Sequence, residues 1–214
     1  MMTATAPLPS AITGVILAGG RARRMDERDK GLMLLSNRPL VAWAIAALKP
    51  QVTTLLISAN RNVARYAAYG FPVVTDEIAD FAGPLAGILS AMTVAQTAWL
   101  LTMPCDTPHS PVDLGQRLAQ AVITEQATLA VATLGRQRQP LHALLPVALA
   151  ADLREYLASG ERKVGTWYAR QRVAWVDFSD RPNAFINLNT SAELRTLELK
   201  MPSNQSPNSR VTSA

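Results

Sequence analysis

Cysteine and histidine are almost missing from this chain: its 214 residues hold one cysteine, Cys105, and two histidines, His109 and His142. A single cysteine excludes an intrachain disulfide and suits a reducing compartment. Lone histidines without metal spacing argue against a zinc site, and no histidine pattern supports Cys105 as a nucleophile. No stretch reaches the roughly 20 apolar residues of a membrane span. The N-terminus lacks the basic region of a signal peptide, and Arg23-Arg24 runs into Met25-Asp26-Glu27 instead of the apolar stretch of a twin-arginine signal. A cytoplasmic protein with no membrane partner is expected. The net charge of +5 and pI near 9.8 favour anionic partners. Lys and Arg are scattered rather than massed with interleaved aromatics, so a small anion accounts for the charge as well as nucleic acid does, and nucleic acid is not expected.

What is present suits one domain. Apolar residues make up 49% and charged residues 17% of the chain, enough to close a single core. Residues 1–10 and 201–214 are rich in Ser, Thr, Pro and Asn and read as a flexible N-terminus and a disordered tail, which leaves 11–200 as the folded unit. Strand-like and helix-like segments alternate within it. Strands are expected at 13–17, 54–59, 71–74, 99–103 and 129–133, and helices at 39–48, 63–69, 84–94 and 112–124. The second half is less regular, with strands at 141–145 and 173–178 and helices at 147–158, 164–170 and 191–199. Such βαβ alternation predicts an α/β fold with a mostly parallel sheet, helices on both faces and ligands beyond the carboxyl ends of the strands.

The segment TGVILAGGRARRMDERDKGL at 13–32 follows that rule closely. A buried apolar strand breaks into Gly19-Gly20, and Arg21, Arg23, Arg24 and Lys30 follow. Glycines let backbone N–H groups approach an anion and the cations supply charge, which is how a polyphosphate site reads. It is not a Walker loop, because Gly31 rather than a hydroxyl residue follows Lys30, and it lacks the spacing of a dinucleotide fingerprint. An ordinary turn with solvated arginines is the plainer alternative.

Other polar residues fall at the same sheet edge: Asn60 after the second expected strand, Asp76 after the third, and Pro104-Cys105-Asp106 after the fourth. A carboxylate at Asp106, partly dry at the rim, is placed to hold Mg²⁺ against phosphate oxygens, although an Asx turn or helix cap before Pro108 is also compatible. Trp43, Trp99, Trp167 and Trp175 read as packing residues, with Trp167 a candidate to border a ligand.

Several motifs in order make a resemblance specific. ITGVILAGGRARRM and DKGL, GPLAGI at 83–88, MPCDTP at 103–108, QPLHALL from Gln139, GERKV from Gly160 and FINLNT at 185–190 together resemble the molybdenum cofactor guanylyltransferases of the MobA family. The likeness spans residues 12–194. It implies a Rossmann-like, three-layer nucleotidyltransferase fold and Mg²⁺-dependent transfer of GMP from GTP to the terminal phosphate of molybdopterin, with release of pyrophosphate. It also implies that Leu17, Ala18 and Gly19 contact GTP through the backbone while Gly20 completes the turn. Lys30 would bind the triphosphate, Arg24 would help neutralise it, Asn60 and Asp76 would complete the guanosine site, and Asp106 would carry Mg²⁺. Gly83 and Gly87 would shape the site, and Arg162, Lys163, Asn187 and Asn189 would face molybdopterin, although on the sequence alone these four also read as an exposed basic turn and turn-forming asparagines. Arg24, Lys30 and Asp106 are thus the expected catalytic set. Further partners implied are molybdenum-insertion proteins and apo-molybdoenzymes or their chaperones. A related cytidylyltransferase and a non-catalytic cofactor carrier are the competing readings.

The chain departs from the family pattern at Asp26-Glu27, where its members usually have glycines. Carboxylates beside a triphosphate weaken binding unless they turn outward or pair with Arg23 or Arg28. If they do so, replacing both with glycine leaves the Michaelis constant for GTP within about threefold, below roughly 1 kcal/mol. Steady-state kinetics of the double variant checks this, and a larger shift in either direction refutes it.

Overall fold

All six residues of β1 (Ile12–Leu17) are buried, as expected of a strand covered on both faces. The computed structural model describes residues 12–19, 29–76, 83–188 and 190–200; Gly20, Arg24, Asp26, Glu27, Asn189 and both termini lie outside them. A two-stranded hairpin, β2 (Leu34–Leu35) and β3 (Arg38–Pro39), leads into α1 (Leu40–Leu48), and then β4 (Thr54–Ser58), α2 (Val63–Ala67) and β5 (Val73–Val74) follow. After them come α3 (Pro84–Val94), β6 (Trp99–Pro104), α4 (Leu114–Thr124), β7 (Leu129–Leu134) and β8 (Gln137–Pro146). The chain closes with α5 (Ala150–Ala158), α6 (Val164–Tyr168), β9 (Val173–Asp177) and α7 (Ser191–Lys200).

The seven-stranded sheet runs in the order β5-β4-β1-β6-β8-β7-β9. Every neighbouring pair is parallel except the two made by β8, which is antiparallel to both β6 and β7. Ile12 and Ile16 face one side, against Val41 and Leu48 of α1 and Leu114 and Leu118 of α4. Val15 and Leu17 face the other, against Leu85 and Leu89 of α3, Tyr156 of α5 and Trp167 of α6. These are the three layers expected from the alternation. In α4 the buried residues Leu114, Leu118 and Val122 recur every four positions, one stripe of an amphipathic helix. A smaller cluster, Leu35, Leu40, Leu188 and Leu194, fastens α7 beside the hairpin. Thr190 and Glu193 bond reciprocally to each other's backbone N–H at 3.1 and 2.9 Å, forming a capping box at the start of α7.

β8 differs most from expectation, with ten residues where the apolar pattern marked only 141–145. Its first half, Gln137–Pro140, is polar and contains a proline, which hides it from pattern reading. Register explains how it fits. Val131 of β7 faces Ala143, whereas its neighbour Ala132 faces Gln139, so Pro140, Leu141 and His142 bulge out of the ladder. The freed carbonyls are taken up locally: Tyr168 donates its hydroxyl to Pro140 at 2.8 Å and Thr102 donates to Leu141 at 2.8 Å. Such bulges re-aim side chains at sheet ends.

His142, at the end of the bulge, is buried, with Nε2 3.1 Å from Thr107 Oγ1 and 3.2 Å from Ser110 Oγ. Its ring meets Phe185 edge-on at 4.6 Å between centroids. Burial lowers its pKa from 6.5 to about 3, so the imidazole is neutral at pH 7. Because the folded value lies below the unfolded one, this contribution to stability is complete above pH 6.5. It is lost as pH falls toward 3, where only the unfolded chain gains the proton. Between pH 7 and 4.5 that loss amounts to about 2–3 kcal/mol. Asp76 and Asp106, whose pKa values burial raises, act in the opposite sense in both proteins of the comparison that tests it. Urea unfolding at the two pH values should show a smaller loss in His142→Gln than in the parent; equal losses refute a buried neutral histidine.

Candidate active site

The carboxyl ends of the parallel strands meet at one level because the ladder continues past them. Ala18 N donates to Ser58 O at 2.8 Å, Cys105 N to Leu17 O at 3.1 Å, and Ala59 N to Val74 O at 3.0 Å. Residues 18–19, 59–60 and 105–106 therefore project from the same edge of the sheet. Residues 18–19 and 105–106 border a cavity of about 290 Å³, at the lower end of small-molecule sites. Leu17, Ala18 and Gly19 form its floor, Asp29, Lys30 and Arg61 one side, Pro104, Cys105 and Asp106 the centre, and Gln139, Pro140, Leu141 and His142 the opposite wall. Pro84 and Asn187 complete the rim.

Lys30 Nζ lies 3.5 Å from Asp106 Oδ2 across this cavity, with the lysine side chain 35% and the aspartate 17% exposed. Burial raises the Asp106 pKa even though Lys30 pulls the other way. One ammonium at that distance does not offset the loss of hydration, so the carboxylate favours further positive charge. Its backbone is held from two directions. Leu188 N donates to Asp106 O at 3.0 Å, which draws the 185–188 segment and Asn187 onto the cavity, and the Thr107, Ser110 and His142 cluster lies beneath.

Lys30 is placed by its predecessor. Asp29 accepts from Gly31 N at 3.2 Å, from the Tyr66 hydroxyl at 2.5 Å and from Asn62 Nδ2 at 2.9 Å, tying the loop to α2. Tyr66 is fully buried and burial pushes its pKa upward, so it stays a donor. A Cβ on Gly31 would collide with that hydroxyl, which explains glycine after Lys30.

Asn60 and Asp76 come together as expected. Asn60 Nδ2 donates to Asp76 Oδ2 at 2.7 Å and Asp76 N donates to Asn60 Oδ1 at 2.8 Å. The amide is spent on holding the carboxylate, whose pKa burial raises, and the pair sits at the β4–β5 end beyond the cavity wall. Of the backbone positions expected to meet a ligand, Leu17 O accepts from Cys105 N and Ala18 N donates to Ser58 O, and Gly19 follows them on the cavity floor. Gly83, with φ of +75°, turns the chain into Pro84 at the first position of α3. Gly87 lets α3 approach β4, since a Cβ there would strike Ser58 Oγ.

Two expectations for the wall differ. Arg162 and Lys163 do not line the cavity, and Arg162 donates to the carbonyls of Leu157 and Glu161, both at 2.7 Å. Trp167 is fully buried and donates to Asp152 at 2.6 Å, so it packs rather than borders a ligand. Cys105 lies at the centre, but burial pushes its thiol pKa up and keeps it protonated. Sequence reasoning passed over Asp29, Arg61, Tyr66 and Gln139; the position of Asp29 beside Lys30 was the available signal for the first.

Comparison with known proteins agrees with this geometry. The model of the MobA-like NTP transferase domain matches residues 14–174. A molybdenum cofactor guanylyltransferase of Shewanella loihica is 47% identical over 87% of this chain and 95% of its own length. One from Cupriavidus pinatubonensis is 49% identical over 87% and 96%. Among solved structures, molybdopterin-guanine dinucleotide biosynthesis protein A from Archaeoglobus fulgidus superposes with a TM-score of 0.71 at 18% identity, covering 88% of this chain and 97% of that one, which is a likeness of fold. By both the matched domain and its near full-length relatives, this chain belongs to the MobA-like nucleotidyltransferases, among the molybdenum cofactor guanylyltransferases.

Proposed function

We propose that the protein transfers GMP from GTP to the terminal phosphate of molybdopterin, releasing pyrophosphate and forming the guanine dinucleotide form of the cofactor. The observation that carries the reading is the loose Lys30–Asp106 pair at the centre of the sheet edge: a cation and an under-compensated carboxylate face one cavity. The names of the relatives supply the substrates.

The residues suit a reaction that asks for positioning more than proton transfer. A phosphate monoester, with a second pKa of about 6, is already mostly ionised at pH 7 and is a competent nucleophile. A neutral buried His142 and a protonated Cys105 are therefore no handicap. Lys30 neutralises triphosphate oxygens, and Gly19 offers backbone at the close approach. Guanine presents N–H donors, and we assign the Asp76 carboxylate, which Asn60 holds, as their acceptor. Arg24 and Gly20 belong to the same loop, and Asn187 to the acceptor side.

Asp106 fits Mg²⁺. Magnesium binds through one or two carboxylates and takes its other oxygens from phosphate and water. No cluster of three His, Cys, Asp or Glu occurs among the described residues, so the triphosphate has to supply the rest. When bound, the ion would neutralise phosphate charge where a lone ammonium falls short.

Pyrophosphate release by purified protein with Mg²⁺, molybdopterin and GTP, CTP or ATP in turn tests the proposal. Release with GTP alone is expected, release with CTP indicates the cytidylyltransferase, and no release indicates a carrier. Asp106→Ala should lower turnover by about 100-fold or more while the unfolding midpoint stays near or above the parent's, because a desolvated carboxylate is removed. Near-parental turnover refutes the role assigned to Asp106.

A further inference from the structure

Beside the bulge in β8 a glutamine amide has no protein partner and opens onto the cavity. Gln139 is 7% exposed and belongs to the cavity wall, yet its side chain makes no hydrogen bond among the described residues. The contrast with the other buried glutamine is sharp: Gln51 donates to Ala47 O and Pro111 O and accepts from Gly115 N. The Gln139 amide is not sealed in the core, since the buried side-chain polar atom without a partner among the described residues is Asp113 Oδ1; it opens onto the cavity, where a ligand can complete it.

Its place in the sheet says which ligand. Along the edge the order is Asp76 after β5, Asn60 after β4, Gly19 after β1, Asp106 after β6 and Gln139 in β8. The pair assigned to guanine and the unpaired amide thus flank Asp106 from opposite sides. Displacement at phosphorus runs in line, with the attacking and leaving oxygens on opposite sides of the transferred group. The leaving group here is pyrophosphate, which Lys30 is assigned to hold on one side of the cavity, so the acceptor phosphate attacks from the opposite side, where Gln139 of β8 lies.

We propose that Gln139 is an acceptor-binding residue whose amide hydrogen-bonds molybdopterin and takes no part in holding GTP. The proposal rests on the guanylyl-transfer reading. Loss of one substrate hydrogen bond in a dry pocket weakens binding by about tenfold.

The test compares wild type, Gln139→Leu and Gln139→Glu by steady-state kinetics, varying molybdopterin and GTP separately, and by thermal unfolding without substrates. In Gln139→Leu the Michaelis constant for molybdopterin should rise about tenfold while that for GTP stays within about twofold. The unfolding midpoint should stay near the parent's, since the substitution removes no hydrogen bond within the protein and keeps the side-chain size. Gln139→Glu, nearly identical in shape, should bind the anionic acceptor still more weakly, and it carries the test if the leucine variant does not fold. An unchanged constant for molybdopterin, a rise confined to GTP, or a lowered midpoint with both constants raised overturns the assignment. Failure of the wild-type protein to transfer any nucleotide to molybdopterin refutes the functional reading instead, and is seen before either variant is compared.

Discussion

The site depends on a backbone constraint: the hydrogen-bond ladder of β4, β1 and β6 runs on past the ends of the strands. Bonds from Ala18, Ala59 and Cys105 hold the first loop residues as firmly as the strands beneath them. Side chains from three separated segments are therefore brought to one level by the backbone. Buried strands on both sides make this edge rigid, because a shift of β1 would disturb two apolar faces at once. The chemistry-bearing residues sit on short extensions of the core and need little order of their own.

Desolvation sets the electrostatics of that edge. It raises the pKa values of Asp106 and Asp76 and of the hydroxyl of Tyr66, lowers that of His142, and keeps Cys105 a thiol. Groups that could have acted as bases are neutral supports, and the charges that remain are a lysine and carboxylates at the rim. Such a site arranges charged substrates and leaves proton movement to the substrates themselves.

Much of this was legible in the chain. The strands and helices of the first half follow the apolar pattern, and Gly19, Lys30, Asn60, Asp76 and Asp106 stand at the edge where parallel-sheet logic puts ligand groups. What escaped reading depended on register or tertiary contact. β8 was half hidden because Gln137–Pro140 is polar, and only its mismatched pairing with β7 shows why His142 leaves the ladder to meet Thr107 and Ser110. Asp29 and Tyr66 are 37 positions apart, and nothing local marks them as partners. The family resemblance singles out Arg162, with an exposed basic turn as the plain alternative; in the structure its guanidinium donates to the carbonyls of its own turn.

β8 has a further consequence through the way it is connected. β4, β1 and β6 are joined by long helical crossovers, so a change in any of them is felt across a face of the core. β7 and β8 form a local hairpin, and the three residues extruded from its ladder are tied down by the hydroxyls of Tyr168, Thr102, Thr107 and Ser110. One wall of the cavity can thus be rebuilt by substitutions within a single hairpin while the opposite wall keeps its shape. In evolutionary terms the two halves of the site are separable, and drift in one does not oblige drift in the other.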